Sequence, residues 1–108
     1  MDELVNALTA TGYPFAHYAW SKAPEGDYGT YSEYAENDLW ADGSAQDNTL
    51  VCLVNFYTRD DTDTPRKRIQ EAFGAADASW ELDNVAFESE SGLIHYTWTL
   101  EFPEAANG

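Results

Sequence analysis

Apolar residues recur with two periods along this chain, and the switches between them mark out its elements. From Asp2 to Thr11 the period is helical. Leu4, Val5 and Leu8 share one side with Ala7 beside them, and Asp2 and Glu3 fill the first turn, where the helix dipole favours carboxylates. Gly12 and Pro14 close that helix. Phe15 to Trp20 reads as a strand, with Phe15, His17 and Ala19 on one face and Ala16, Tyr18 and Trp20 on the other. The run Ala23-Pro24-Glu25-Gly26-Asp27 is turn chemistry. Tyr28 to Ala35, rich in aromatic residues, suits a second strand. Glu36 to Asn48 is polar and carries the turn pair Asp42-Gly43, with Asn37 to Trp40 able to begin or extend a strand before it.

Leu50 to Thr58 is the clearest strand. Leu50, Cys52, Val54 and Phe56 face one way and Val51, Leu53, Asn55 and Tyr57 the other, so both faces are largely apolar and the strand belongs at the centre of a sheet or at an interface. Arg59 to Thr64 is a polar loop, after which Thr64 has the chemistry of an N-cap and Pro65 that of a first helical residue. Ile69, Ala72, Phe73 and Ala76 then repeat at helical spacing for about three turns, with Gly74 weakening the end. Trp80 to Ser89 and Leu93 to Phe102 flank Ser91-Gly92 and form a hairpin. In its second arm Ile94, Tyr96, Trp98, Leu100 and Phe102 alternate with His95, Thr97, Thr99 and Glu101, the signature of a half-buried antiparallel strand. Pro103 ends it, and residues 103–108 are expected to fray.

The resulting order is α-β-β-β-α-β-β. It predicts an α+β fold, with a single antiparallel or mixed sheet of four or five strands and both helices packed on one face. Residues 1–108 read as one domain with no internal repeat or linker. A chain of this size buries about 60–70% of the surface it exposes when unfolded, enough for one core.

Composition sharpens this picture in two places. Aromatic residues make up 15% of the chain, which argues for a packed domain over a charged disordered one. The 20 acidic residues against 5 basic ones give a formal net charge of −15. Such a surface repels nucleic acid and anionic membrane, so neither is expected as a direct partner. Four of the five cations, Arg59, Arg66, Lys67 and Arg68, fall within ten positions. Three of these lie at the start of the second predicted helix, where the dipole makes each cation cost about 0.3–1 kcal/mol. Two readings follow. Asp60, Asp61 and Asp63 can neutralise the cations locally. Alternatively, the four form a subunit-interface socket for acidic side chains of a second copy. The single cysteine, Cys52, and the lack of a basic, apolar leader suggest a soluble protein matured in a cytoplasm.

No catalytic signature is present. The chain has no phosphate-binding glycine loop, nucleophile elbow or zinc-type Cys/His spacing, and no catalytic, cofactor-binding or metal-ligating residue is assigned. Cys52 shares a face with Leu50, Val54 and Phe56 and reads as a buried thiol, not a ligand beside His17 or His95. His95 falls on the polar side of its strand and reads as a solvated side chain. The run Asp60, Asp61 and Asp63 lacks the glycine and terminal glutamate of a calcium loop. Tyr28, Tyr31, Tyr34 and Trp40 either pack within the sheet or mark an interface.

Several of these features together resemble a known family. They are the short opening helix followed by Thr11-Gly12-Tyr13-Pro14-Phe15-Ala16, the stretch Asn37-Asp38-Leu39-Trp40-Ala41-Asp42-Gly43, the strand ending Asn55-Phe56-Tyr57-Thr58, the Asp-rich loop and amphipathic helix, and the closing segment with Trp80, Glu88-Ser89-Glu90 and Leu100-Glu101-Phe102. Over nearly its whole length the chain is similar to tail terminator, or tail-completion, proteins of long non-contractile tailed phages and prophages. The resemblance implies an α+β subunit of a ring, commonly hexameric, that caps the tail tube and meets the head connector. It also implies a place in the virion, with assembly in the bacterial host cytoplasm, and no enzymatic role. The strong acidity and the dense basic cluster are unusual for that family. Two other classes fit the composition: an acidic DNA mimic that inhibits a DNA-binding protein, and a small ligand-binding domain or enzyme with an aromatic-lined cleft.

Overall fold

A computed structural model describes residues 2–33 and 49–103. Its elements run α1 (Asp2–Ala10), β1 (Phe15–His17), β2 (Tyr28–Glu33), β3 (Thr49–Thr58), α2 (Thr64–Ala75), β4 (Ser79–Glu88) and β5 (Leu93–Pro103). The fold is α+β, in the order the hydrophobic pattern predicts. The five strands form one sheet, β1-β2-β3-β5-β4. All neighbours are antiparallel except β1 and β2, which makes the sheet mixed. β3 takes the centre, as its two apolar faces require.

One face of the sheet carries both helices and the core. Cys52, Val54 and Phe56 of β3 and Tyr96, Trp98, Leu100 and Phe102 of β5 point into it, and Leu4 and Leu8 of α1 and Ile69 and Phe73 of α2 close it from above. Each such fully buried aliphatic or aromatic side chain contributes about 1.5–3 kcal/mol. Trp98 sits at the middle, with Phe73 edge-on at 5.3 Å and Tyr96 stacked at 5.6 Å. Its indole N–H donates to Gln70 Oε1 at 3.2 Å, which satisfies the one polar atom that burial would otherwise strand.

Three local expectations change, at Tyr18, Thr64 and His95. The strand after the first helix stops at His17, because Tyr18 has a left-handed φ of 72° that turns the chain out of the sheet. Its remnant runs parallel to β2. Thr64 is not the cap of α2. The N-cap is Asp63, with φ −81° and ψ −3° and no side-chain cap hydrogen bond, and its carbonyl accepts the Lys67 N–H at 2.9 Å. The Asp63 carboxylate turns to Arg66 instead of the helix N–H groups. At the other end α2 runs past Gly74 and is closed by Asp77, which takes a left-handed φ of 62°. The Asp77 and Ala78 N–H groups return to the Gly74 and Phe73 carbonyls, a Schellman closure on a residue type that tolerates this conformation. His95 is only partly solvated, for a reason given below. The hairpin at Ser91-Gly92 forms as expected, with Gly92 at φ 76°. The expectations for Tyr34, Ala35, the 36–48 stretch and the tail beyond Pro103 lie outside the described residues.

Candidate interaction surfaces

The four clustered cations point in different directions. Successive helical residues are about 100° apart, so Arg66, Lys67 and Arg68 fan out from the start of α2. Arg66 turns toward β5 and pairs with Asp63 at 3.4 Å. Arg68 turns toward α1, with its guanidinium 5.7 Å from the centre of the Tyr13 ring, a cation–π contact. Burial pushes the Tyr13 hydroxyl up, and Arg68 partly opposes this. Lys67 points outward and is exposed. Arg59 lies apart at the end of β3, donating to the Glu25 carbonyl at 3.4 Å and the Ser91 carbonyl at 3.0 Å. It ties the loop before β2 to the β4–β5 hairpin. Among the acidic neighbours, Asp60 accepts from the Thr62 N–H and hydroxyl, which hold its carboxyl below the usual range.

The face of the sheet opposite the helices is uncovered over its described residues, and the strand register lays polar and aromatic side chains across it in rows. One row is Tyr28, Tyr57, His95 and Ala86 and the next is Thr30, Asn55, Thr97 and Asn84. Tyr28 stacks on Tyr57 with ring centres 4.8 Å apart, and Tyr57 on His95 at 4.2 Å. Asn55 Oδ1 accepts from His95 Nε2 at 2.8 Å and from the Thr97 hydroxyl at 3.0 Å. That places the imidazole proton on Nε2 and leaves Nδ1 facing the Glu88 carboxylate at 3.8 Å. Burial pushes the His95 pKa down, and Glu88 opposes this only in part. These contacts explain why His95 departs from the solvated reading: its strand's polar side is roofed by β3 side chains.

The loop after β1 folds over the edge of this face. The Trp20 indole donates to the Gly29 carbonyl at 2.8 Å. Trp20 and Tyr18, with Tyr28, Thr30, Asn55 and Tyr57, line an open cleft of about 400 Å³. At the β1 edge, His17 lies between Tyr18 and Tyr31 at 4.1 and 5.0 Å. Its Nε2 meets Glu33 at 2.8 Å, a contact that holds the Glu33 carboxyl below its ordinary range. Of the aromatic run singled out in the sequence, Tyr31 thus packs against the core side and Tyr28 belongs to the open row.

A third surface is the edge of β4, which no other described strand pairs. Its helix-side residues Trp80, Val85 and Phe87 are 41%, 51% and 67% exposed. They pair across to Leu100, Tyr96 and Ile94; Trp80 tilts against Phe73 of α2 at 6.1 Å, and Leu82 packs against the core, while Val85 and Phe87 are left the more exposed. A β-bulge between Leu82 and Asn84 keeps Val85 and Phe87 on this side and turns Asp83 to the open face, where it accepts from the Thr99 hydroxyl. The apolar edge is legible in retrospect as Val85 and Phe87 in alternation. The aromatic–histidine row was missed, and Asn55 within an otherwise apolar strand was its one signal.

Cys52 is fully buried in the core, away from His17 and His95. Among the described residues, no group of three or more His, Cys, Asp or Glu side chains is arranged to hold a metal ion, and no helix is long and apolar enough to cross a membrane. No family model, no curated protein and no solved structure matches the chain.

Proposed function

We propose that the chain is a structural subunit that assembles with copies of itself, a tail terminator or tail-completion protein of a tailed phage or prophage. In this reading it closes as a ring, a hexamer by family resemblance, on the tail tube and meets the head connector. The observation that carries the assembly reading is the edge of β4. The bulge and the carboxylates of this strand discourage backbone pairing along it, but Val85 and Phe87 remain in solvent, and an exposed apolar strip of this kind marks a contact surface. The charge distribution supports it, because cations fanned around the start of α2 on a body of net charge −15 let two different patches of one chain attract. The α+β order and the sequence features described above support the tail assignment. An acidic lumen would also keep DNA from adhering as it passes.

Electron microscopy of phage tails made with and without the chain tests the assignment. Tails lacking it are expected to overgrow, and tails containing it to end in a ring labelled by antibody against the chain. Tails of normal length in its absence, with no label at the tail end, refute the reading.

The cleft beside Tyr28 favours a second reading, a domain that binds a small planar or cationic ligand against Trp20 and Tyr57. Saturable quenching of tryptophan fluorescence that is lost in Trp20→Phe would favour it over assembly.

A further inference from the structure

The uncovered strip on β4 has a counterpart elsewhere on the same molecule. Between α1 and α2, on the side away from the sheet, Ala7, Ala10, Ala72 and Ala75 line a hollow of about 220 Å³, with Arg68 and Glu71 on its rim. The hollow is open to solvent, and its alanines, with no side chain beyond Cβ, leave room for a ring to lie against the two helices. The largest exposed hydrophobic side chain among the described residues, by fraction, is Phe87. We propose that Phe87, with Val85 beside it, seats in the α1–α2 hollow of a second copy of this chain. This rests on the assembly reading above and names its contact surfaces.

Three observations commit the occupant to a second copy in this orientation. The first is shape, one protruding ring against one small-residue hollow, on different sides of the same fold. The second is charge. Glu88 and Glu90 follow Phe87 and are exposed, and the hollow carries Arg68 on its rim, with exposed Lys67 next to it on α2, against the single carboxylate of Glu71. The third is the cost of the alternative. Pairing β4 with β4 across a two-fold axis would crowd Glu81, Asp83 and Glu88 of both copies along one seam, and any register that sets two of them opposite each other puts like charges in direct opposition, which destabilises a sheet. A contact between two different patches is heterologous, and a heterologous contact that closes gives a ring.

The test uses two variants at exposed positions, Phe87→Ser and Ala75→Tyr, the first removing the ring and the second filling the hollow. Thermal melting of each verifies the fold. Sedimentation velocity of the wild-type chain over a concentration series is expected to show association beyond the dimer, and each variant alone should weaken it by about tenfold or more. An equal mixture of the two variants is expected to form dimers and stop there. The intact ring of one enters the intact hollow of the other, and the remaining ring and hollow are both spoiled. Wild-type assembly that survives in both variants overturns this contact while leaving the assembly reading in place. A mixture no better than its components, as a two-fold interface would give, also overturns it. So does a wild-type chain that stays monomeric up to about 1 mM. Failure of the tail assignment is read separately, from the tails themselves.

Discussion

Gly29→Ala makes the sharpest test of the packing, because its expected sign is opposite to that given by strand propensity alone. Gly29 sits in β2 opposite Phe15 on one side and Phe56 on the other. A Cβ there would overlap the Phe15 ring and lie 2.6 Å from the Asn55 carbonyl oxygen. The ring can rotate away only by leaving its stack on Phe56, now at 5.9 Å, and the carbonyl belongs to the central strand and cannot retreat. Overpacking of this kind costs about 1–3 kcal/mol. Alanine would otherwise gain about 0.5–1 kcal/mol over glycine inside a strand, so the net loss is about 1–2 kcal/mol. In a domain this size that lowers the melting midpoint by roughly 5–15 °C. Gly26→Ala is the control. It has no neighbouring atom within 4 Å and should change stability by no more than about 0.5 kcal/mol. Adding Phe15→Leu to Gly29→Ala should recover part of the loss and not all, since the Asn55 carbonyl remains. Thermal and urea denaturation measure all four proteins. A Gly29→Ala protein that melts at or above the wild-type midpoint refutes the close approach of β1, β2 and β3.

The remaining predictions follow from the same contacts. Trp98→Ala should lose about 3–5 kcal/mol in chemical denaturation, since Trp98 is fully buried; an unchanged midpoint would mean that the β5 register is wrong. Thr64→Ala should be neutral to within about 0.5 kcal/mol, because Asp63 and not Thr64 occupies the cap position; a loss typical of a removed cap would contradict that boundary. His95 has a folded-state pKa below its ordinary value of 6.5, so the unfolded chain binds its proton first. Its contribution is present above pH 6.5 and lost as pH falls through and below that value. The urea midpoint of wild type should therefore fall relative to that of His95→Gln between pH 7.5 and 5.5, and parallel profiles would remove His95 from its half-buried stack. Duplex DNA should not bind at physiological salt, because four cations on a body of charge −15 release about four counterions at most; saturable micromolar binding in a mobility shift would contradict the repulsive surface.

What the sequence determined by itself is the local and periodic part of this protein. Period-two and helical spacing located five strands and two helices, and the strand apolar on both sides, at Val51 to Tyr57, was expected at the centre of a sheet or at an interface and takes the centre, with one of its faces in the core. The alternation from Ile94 to Phe102 put Trp98 in the core. Tertiary structure decided whatever depends on residues far apart in the chain. The Tyr28–Tyr57–His95 row exists because three strands align there in register, and no local pattern encodes that alignment. The cap of α2 fell to Asp63 because the loop's hydrogen bonds, from Thr58 through Asp60 to Thr62, wind the chain into helical geometry one residue early. Three adjacent cations read as one cluster in a line of letters, and the helix spread them over three directions. Phe87 shares the helix side of β4 with Trp80 and Leu82, and only the tertiary structure shows that it lies 67% exposed, because its burial depends on which distant element packs over that end of the strand.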